Sequence, residues 1–480
     1  MSNTHPNLIF LFADQLNYQS CGFSGEQRAN TPNLDRLAAE GVNFSQAVSC
    51  CPLCGPYRAS LLTGKYPSST GQYRNDVRCM PDDEAIGHQL ERAGYRTGYI
   101  GKWHLYCRTG NEQFTPPGPY RLGFDQYFAS YNWNHDYWNG FYYPDSGERI
   151  PMKGYQTDFQ TDMALEFIEA QKKESPFALF VSYEVPHPPC TPDDVPKEYY
   201  ELFRDVDFSD LLYNQEDVFA EFTPSFDRAW QQEHVIDDHN ERCRVYYAMN
   251  ACLDRNIGRI LTYLDQHGLA DNTILVFTSD HGDMLGGHGR ISKRIFFEES
   301  VRVPLLMRRN THIPSGVNSE ACINTPDIMP TLLELMELGV PEGYEGDSYA
   351  PLLMGSELPG GSELPEGSDQ PDAPDDAFIT NMHYGRFNHL EEYRAIRNAQ
   401  YLYARMTRTG KEFLFDHRHD PKEEKNLAGK EEYQDVLQAC RNRLEEKMKE
   451  LGDEAHPHEW YWENWIEDGH IVRSAVRRKQ

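Results

Sequence analysis

Four apolar runs, each ending abruptly in groups that carry chemistry, constrain this chain more than any other feature of its sequence. "NLIFLFAD" stops at Asp14, "RTGYIGKWH" runs into Lys102 and His104, "PFALFVSYEVPH" precedes His187, and "TILVFTSDHG" stops at Asp280 and His281. Such runs suit strands buried on both faces of a parallel sheet. Longer amphipathic segments lie between them, including "TPNLDRLAAEG", with Thr31 as cap and Pro32 in the first turn, and "RVYYAMNACLDRNIGRILTYLDQHG", ending at Gly268. This alternation specifies an α/β fold with a mostly parallel sheet flanked by helices. Ligands of open α/β sheets sit beyond the carboxyl ends of the strands, so the four polar tails are expected to converge on one site.

At 480 residues the chain exceeds what one hydrophobic core usually serves, and a large domain with a small companion is expected. Residues 354–376, "MGSELPGGSELPEGSDQPDAPDD", are dense in Gly, Pro, Ser and acid and mark the boundary. The expected division is an α/β domain over 1–360, a linker or loop over 361–376, and a small α+β domain over 377–480. In the last, the runs "AFITNMHY", "YRAIRNAQYLYARM" and "KEFLFDH" predict an antiparallel sheet, followed by a charged helix from about Glu431 to Leu451.

Forty-six basic against 75 acidic residues leave a formal charge of −29, which opposes nonspecific binding to nucleic acid or anionic lipid. Neither is an expected partner, and an anionic substrate needs a locally basic pocket. No apolar run approaches the length of a membrane span. Eleven cysteines without the dense spacing of a disulfide framework predict reduced thiols. The start, "MSNTHPNLIFLFAD", lacks a cationic segment, an apolar segment and a cleavage site in sequence. Together these favour the cytoplasm, whereas a chain trimmed of a leader would belong in the periplasm or outside the cell.

The stretch "CCPLCGPYRASLLTG", residues 50–64, holds three of the cysteines. Cys51 and Cys54 form C-x-x-C, but a structural zinc needs a second ligand pair at short spacing, and Cys79 and Cys107 stand alone. A redox pair and three inert buried thiols are the other plain readings. Cys54 differs from its neighbours because Pro56 follows two positions later, as in a first helical turn. That places Cys54 at a helix N-terminus, where free N–H groups and the dipole favour an anion, with Arg58 as a fixed cation nearby.

The pattern C-x-P-x-R followed by L-L-T-G resembles the signature of type I sulfatases, members of the alkaline-phosphatase-like superfamily whose cysteine is oxidised to formylglycine. The resemblance extends in family order over nearly the whole chain, through "FLFADQ", "TGKYP", "GYIGKWH", "VPHPP", "TSDHGDMLGGHG" with a following Lys, and "LFDHRHDPKEEKNLA". It implies a large alkaline-phosphatase-like domain that hydrolyses a sulfate ester with a formylglycine hydrate derived from Cys54. It implies a divalent cation held by Asp14, Gln15, Cys54, Asp280 and His281. Arg58 would hold the formylglycine region, Lys102 and His104 would bind sulfate and move the hydrate proton, and His187 and Lys293 would contact sulfate and protonate the departing oxygen. His288 is expected to support its loop. A formylglycine-generating or anaerobic sulfatase-maturating enzyme is an implied partner.

Two positions depart from the commonest family pattern, which has a second Asp where this chain has Gln15 and often Asn where it has His281. Oxygen ligands favour Ca²⁺, the expected ion, or Mg²⁺, whereas an imidazole nitrogen adds weight to Mn²⁺. His281 also reads as a donor behind the ligands. Residues 130–145, "SYNWNHDYWNGFYYPD", form either a minor apolar cluster or a wall for a sugar, with Trp133, His135, Tyr137 and Trp138 as its candidate contacts. A saccharide sulfate is the favoured substrate. The rival activity is that of a phosphonate monoester or phosphodiester hydrolase of the same superfamily, which the D-Q and D-H pairs and C-G-P-x-R also resemble. A non-catalytic protein that captures sulfated glycans is the third reading.

Overall fold

The first apolar run shows why these segments assemble into a covered sheet. All eight residues of β1 (Asn7–Asp14) are buried, with Ile9, Leu11 and Ala13 in one apolar core and Leu8, Phe10 and Phe12 in another. This is the period-2 alternation of a strand with cover on both faces. Each fully buried side chain of this kind contributes about 1.5–3 kcal/mol, so a strand covered on one face would forgo half the gain. The computed structural model describes residues 5–107, 112–171, 175–214, 237–354, 376–383 and 392–476. The helices Gln156–Glu169 and His239–Gln266 supply the first core, and Cys54–Thr63, Ile86–Arg92 and Thr325–Leu335 the second.

β1 joins β2 (Val42–Phe44), β3 (Arg96–Lys102), β4 (Phe128–Tyr131), β7 (Phe177–Pro186), β8 (Thr273–Ser279), β9 (Leu305–Arg308) and β10 (Val317–Ser319) in one sheet, ordered β10-β2-β9-β8-β1-β7-β3-β4. The pairings β8–β1, β1–β7, β7–β3 and β3–β4 are parallel, and β9 alone runs against its two neighbours. A small hairpin, β5 (Phe141–Tyr142) with β6 (Ile150–Pro151), lies outside this sheet. The mostly parallel α/β architecture expected from the sequence is the one observed. No helix among the described residues is long and apolar enough to cross a membrane.

The expected antiparallel sheet is also present: β11 (Asp376–Asn381), β12 (Tyr393–Asn398), β13 (Tyr401–Met406) and β14 (Glu412–Asp416), in that order. The single run "YRAIRNAQYLYARM" supplies two of them as a hairpin. One face packs on Met284, Phe296 and Phe297 of the larger sheet's loops and on Val301 of the short helix Glu298–Val301, and the other on the helix Gln434–Glu450 and on Cys50, Cys51 and Leu53. A last hairpin pairs β15 (Ile466–Glu467) with β16 (His470–Ile471). The acidic linker over 361–375 lies outside the described residues, and Asp376 already belongs to β11.

One helix is capped differently from expectation. Thr31 stands at the N-cap of Pro32–Ala39, but its hydroxyl makes no cap bond and instead accepts from Gly22 N–H at 2.8 Å. The free amides of Asn33 and Leu34 donate to Asp254 of the long helix, at 3.0 and 2.8 Å. A buried carboxylate across the core thus replaces the local side chain, because an anion satisfies helix N-terminal amides from any direction that reaches them.

Candidate active site

Sheet order brings the four polar tails together. β8, β1, β7 and β3 are consecutive neighbours, with Ala13 opposite Ser279 and Asp14 opposite Pro186. Asp280 N–H donates to Ala13 O at 3.2 Å, so the two acidic strand ends are stapled side by side. Cys54 meets them from the opposite direction as the first residue of the helix Cys54–Thr63, whose Gly55 N–H is taken by Asn75 Oδ1 at 2.8 Å. That helix is buried along its whole length and ends at Gly64, where φ is 65° and a Cβ would lie 2.4 Å from the Tyr344 ring. Its terminal glycine is therefore required by both backbone conformation and space.

The three clustered cysteines meet opposite electrostatic fates. All eleven cysteines of the chain are thiols outside any disulfide. Burial pushes the Cys50 thiol up to about 12 and Cys51 well above the ordinary range. Burial and Asp14 oppose ionisation of Cys54 as well, but Lys293, Lys102 and His281 outweigh them and bring its thiol down to about 5. Cys54 is thus the one of the three held as an anion.

Arg58, one turn along the helix from Cys54, lies between the two acids. Its Nη2 donates to Asp14 Oδ2 at 3.1 Å and to Asp280 Oδ2 at 3.3 Å, while Nη1 donates to Lys102 O at 2.8 Å and Ser182 Oγ at 2.6 Å. Lys102 Nζ is 2.8 Å from Asp14 Oδ2 and 3.5 Å from Glu184 Oε1. Burial alone would raise the Asp14 pKa, but Lys102 foremost, with Arg58, holds it well below the usual carboxylate range. Asp280 goes the other way: burial and the negative charge of Asp14 push it up to about 7.

That opposition identifies a cation-sized need. One ligand atom each from Asp14, Cys54, Asp280 and His281 lies within 4.8 Å of the others, and all four residues are buried. His281 Nε2 is 3.3 Å from Cys54 Sγ and 3.4 Å from Asp280 Oδ1, and its Nδ1 is 3.1 Å from Gly282 O. The carbonyl takes the Nδ1 proton; burial opposes a second one, but Asp280 and Cys54 raise the His281 pKa, so Nε2 holds a proton toward the acids that a bound cation would displace. Two carboxylates, a thiolate and an aimed imidazole nitrogen form a donor set that fits a divalent cation.

The remaining site residues arrive by different routes. Lys102 ends β3, whereas His104 lies past the strand with φ of 56°. Strand alternation therefore ends at Lys102 and does not relate the two side chains. The His104 Nδ1 is buried without a partner, and burial with the charges of Lys102 and Arg58 holds it well below the usual histidine range, in the neutral form. His187 follows β7, with Nδ1 2.6 Å from Pro188 O. Gln15, also left-handed at φ 74°, gives its amide N–H to Asp283 and accepts from Lys293 Nζ at its amide oxygen. His288 stacks on Phe297 at 3.7 Å and bonds Asn214, as a loop support.

The aromatic segment divides. Trp133 meets His135 edge-on at 5.2 Å, and His135 meets His187 at 4.5 Å, so these two stand beside the candidate acid. Tyr137 is corrected: it is 1% exposed, its hydroxyl donates to His187 O, and it shows no ring face to a ligand. Trp138 is 44% exposed but turns onto Tyr155, with its indole N–H on Asp193 O at 2.7 Å.

Three contributors were missed in the sequence: Ser182 and Glu184 within β7, and Asp283 in "SDHGD". A usable signal existed for Glu184, since a carboxylate inside an otherwise apolar buried run needs a buried cation. Asp283 accepts from Leu285 N at 2.9 Å and Ser292 N at 3.0 Å as well as from Gln15.

Residues 6–338 match the Sulfatase family model, and residues 286–450 match that of the N-sulphoglucosamine sulphohydrolase C-terminal region. The chain is 34% identical over 465 residues to an ulvan-active sulfatase of Formosa agariphila, covering 95% of this chain and 84% of that one. It is 27% identical to BT4656, solved in complex with its substrate D-glucosamine-2-N,6-O-disulfate, with a TM-score of 0.79 over 95% of this chain and 99% of that one. The phosphonate monoester hydrolase of Agrobacterium radiobacter shares the fold at 22% identity, with a TM-score of 0.69 over 93% and 96% of the two chains. With its acidic strand ends and Cys54 helix gathered at one place and the family match running from residue 6 to residue 338, the chain belongs to the sulfatase family and is a sulfatase enzyme.

Proposed function

We propose that this sulfatase cleaves a sulfate ester on a saccharide, using a formylglycine hydrate at residue 54 and a divalent cation held by Asp14, Gln15, Asp280, His281 and residue 54. The observation that carries this reading is the gathering of Cys54 with Asp14, Asp280 and His281 at a helix N-terminus. The saccharide is supported by the sugar disulfate that is the substrate of BT4656. In this reading the Cys54 thiol stands where a hydrate oxygen of the mature residue would lie. A bound cation would supply polarisation of a sulfate oxygen, and a hydrated formylglycine at residue 54 would supply the oxygen nucleophile and the route by which sulfate is released.

The protein's own groups do the rest. Lys102 and Lys293 supply positive charge for the sulfate oxygens in a chain that is otherwise strongly acidic. Arg58 holds Asp14 and Asp280 in register with residue 54. His104, neutral in the free protein, takes the hydrate proton. His187 gives its Nδ1–H to Pro188 O, so Nε2 exchanges the proton. Burial and Lys293 hold His187 neutral before substrate arrives. A bound sulfate offsets Lys293 and lets Nε2 carry a proton to the departing oxygen.

Peptide mass spectrometry over residues 50–58 tests the nucleophile: formylglycine is expected at 54 with Cys50 and Cys51 unchanged. Unmodified Cys54 in a fully active preparation would overturn it. Rates on sulfated glucosamine, nitrophenyl sulfate, a phosphodiester and phenylphosphonate test the substrate class, with the sugar sulfate expected first. His187→Ala should slow the sugar sulfate more than the activated aryl ester, since only the former needs protonation on leaving.

A further inference from the structure

Gln15 has every polar group fixed, and the pattern of its partners assigns a residue outside the ligand set. Its backbone N–H donates to Asp280 Oδ1 at 3.0 Å, and its carbonyl accepts from Tyr246 hydroxyl at 2.7 Å. Its side-chain nitrogen donates to Asp283 Oδ2, and its side-chain oxygen accepts from Lys293 Nζ. An ammonium only donates and a carboxylate only accepts, so the amide has one allowed orientation. The carbonyl oxygen retains a second lone pair for a cation. Asp283 is buried, and its other oxygen ties down the amides of Leu285 and Ser292, one residue before Lys293. The adjoining Gly282 donates its N–H to Ser300 O at 2.8 Å and has no room for a side chain, since a Cβ there would sit 2.0 Å from Glu299 O.

We infer that Asp283 is a positioning residue that sets the Gln15 amide and, through it, the ammonium of Lys293. This rests on the proposed roles of Gln15 and Lys293. It also accounts for the amide at position 15: a carboxylate of the same length would face the Asp283 carboxylate at hydrogen-bond distance, both buried. Asp283→Asn would instead set two amide nitrogens against each other, and relief by turning the Gln15 amide would aim its N–H groups at Lys293. The charge is needed once along this line, and exchanging its place should be tolerated.

The test is a cycle of near-isosteric variants in the full chain: Gln15→Glu, Asp283→Asn, and the two combined. In the double variant the amide introduced at position 283 donates to the carboxylate introduced at position 15, which still accepts from Lys293. Each single variant should lose about 10- to 100-fold in kcat/KM for the sugar sulfate, with a lowered unfolding midpoint in metal-free protein. The double variant should recover to within a few-fold and regain the midpoint. Losses that simply add in the double variant would overturn the inference, as would single variants with unchanged kcat/KM. The midpoint cycle requires neither formylglycine nor turnover, so failure of the proposed reaction appears separately, as a parent protein inert on every sulfate ester.

Discussion

Two buried clusters flank the loop 282–297, and both bring acidic and imidazole ligand atoms within reach of a metal, yet they are wired in opposite ways. Under the small sheet, Arg397 grips Glu298 with bonds of 2.7 and 2.8 Å, and Glu423 takes Glu298 N–H at 2.9 Å and His417 at 3.0 Å. Burial would raise the Glu298 pKa, but Arg397 foremost holds it well below the carboxylate range. At the strand ends, Arg58 is shared by two acids and Asp280 is pushed up to about 7. Gathered donors do not make a site by themselves. In the strut Arg397 pairs with Glu298, and burial foremost raises the Glu423 pKa against its His417 partner; at the strand ends Lys102 pairs with Asp14, while burial and Asp14 raise Asp280 beside the Cys54 and His281 donors, where an ion has room.

The largest expected effect breaks the strand-end cluster at its proposed nucleophile. Cys54→Ala should lower kcat/KM on the order of 10⁴-fold or more, the scale of removing a covalent nucleophile. Cys51→Ala, outside the acids, should retain most turnover, and comparable losses in both would erase the distinction between the neighbouring thiols.

Next comes the ion. Chelation and dialysis should abolish turnover and lower the unfolding midpoint, and Ca²⁺ or Mn²⁺ should restore both. At a hundred-fold excess over its Kd the ion contributes about 2.7 kcal/mol. Full activity in metal-free enzyme would sink the assignment.

The strut is probed by stability rather than turnover. Arg397→Met should cost about 3–5 kcal/mol in denaturant unfolding, because Glu298 is left charged and buried. Adding Glu298→Met should recover most of that; a double variant as unstable as the single one would show that the pair does more than neutralise itself.

The smallest effect concerns Glu299, beside the strut, whose Oε1 accepts from Tyr213 while Oε2 has no partner. Burial and then Glu423 raise its pKa from 4.5 to about 8. The folded state therefore keeps a proton that the unfolded chain releases, and stability falls as pH rises through that window. Glu299→Gln should flatten the decline in unfolding free energy between about pH 5 and pH 8, while an unchanged slope would place the proton elsewhere.

The candidate site was legible where local rules sufficed. Asp14, Lys102, His187 and Asp280 stand at or beside strand ends that apolar runs announce, and Pro56 marked the helix that begins at Cys54. Readings that needed a distant partner failed. Thr31 looked like a cap until Asp254 took the amides from across the core. Tyr137 looked like a sugar contact until burial turned its hydroxyl to His187 O. The tie of Asp283 to Gln15 had no local signal, since the two lie 268 positions apart.

By itself the sequence determined the buried strands, the helix at Cys54, the antiparallel small sheet and the residue types at the strand ends, because periods of 2 and 3.6 and the demands of Pro and Gly act within a few residues. Only the tertiary structure decided that β8, β1, β7 and β3 lie side by side and which charge each acid meets. Those outcomes depend on through-space contacts such as Arg58 with Asp280, 3.3 Å apart and 222 positions distant in the chain. Buried electrostatics is set by such distances, which no local pattern encodes.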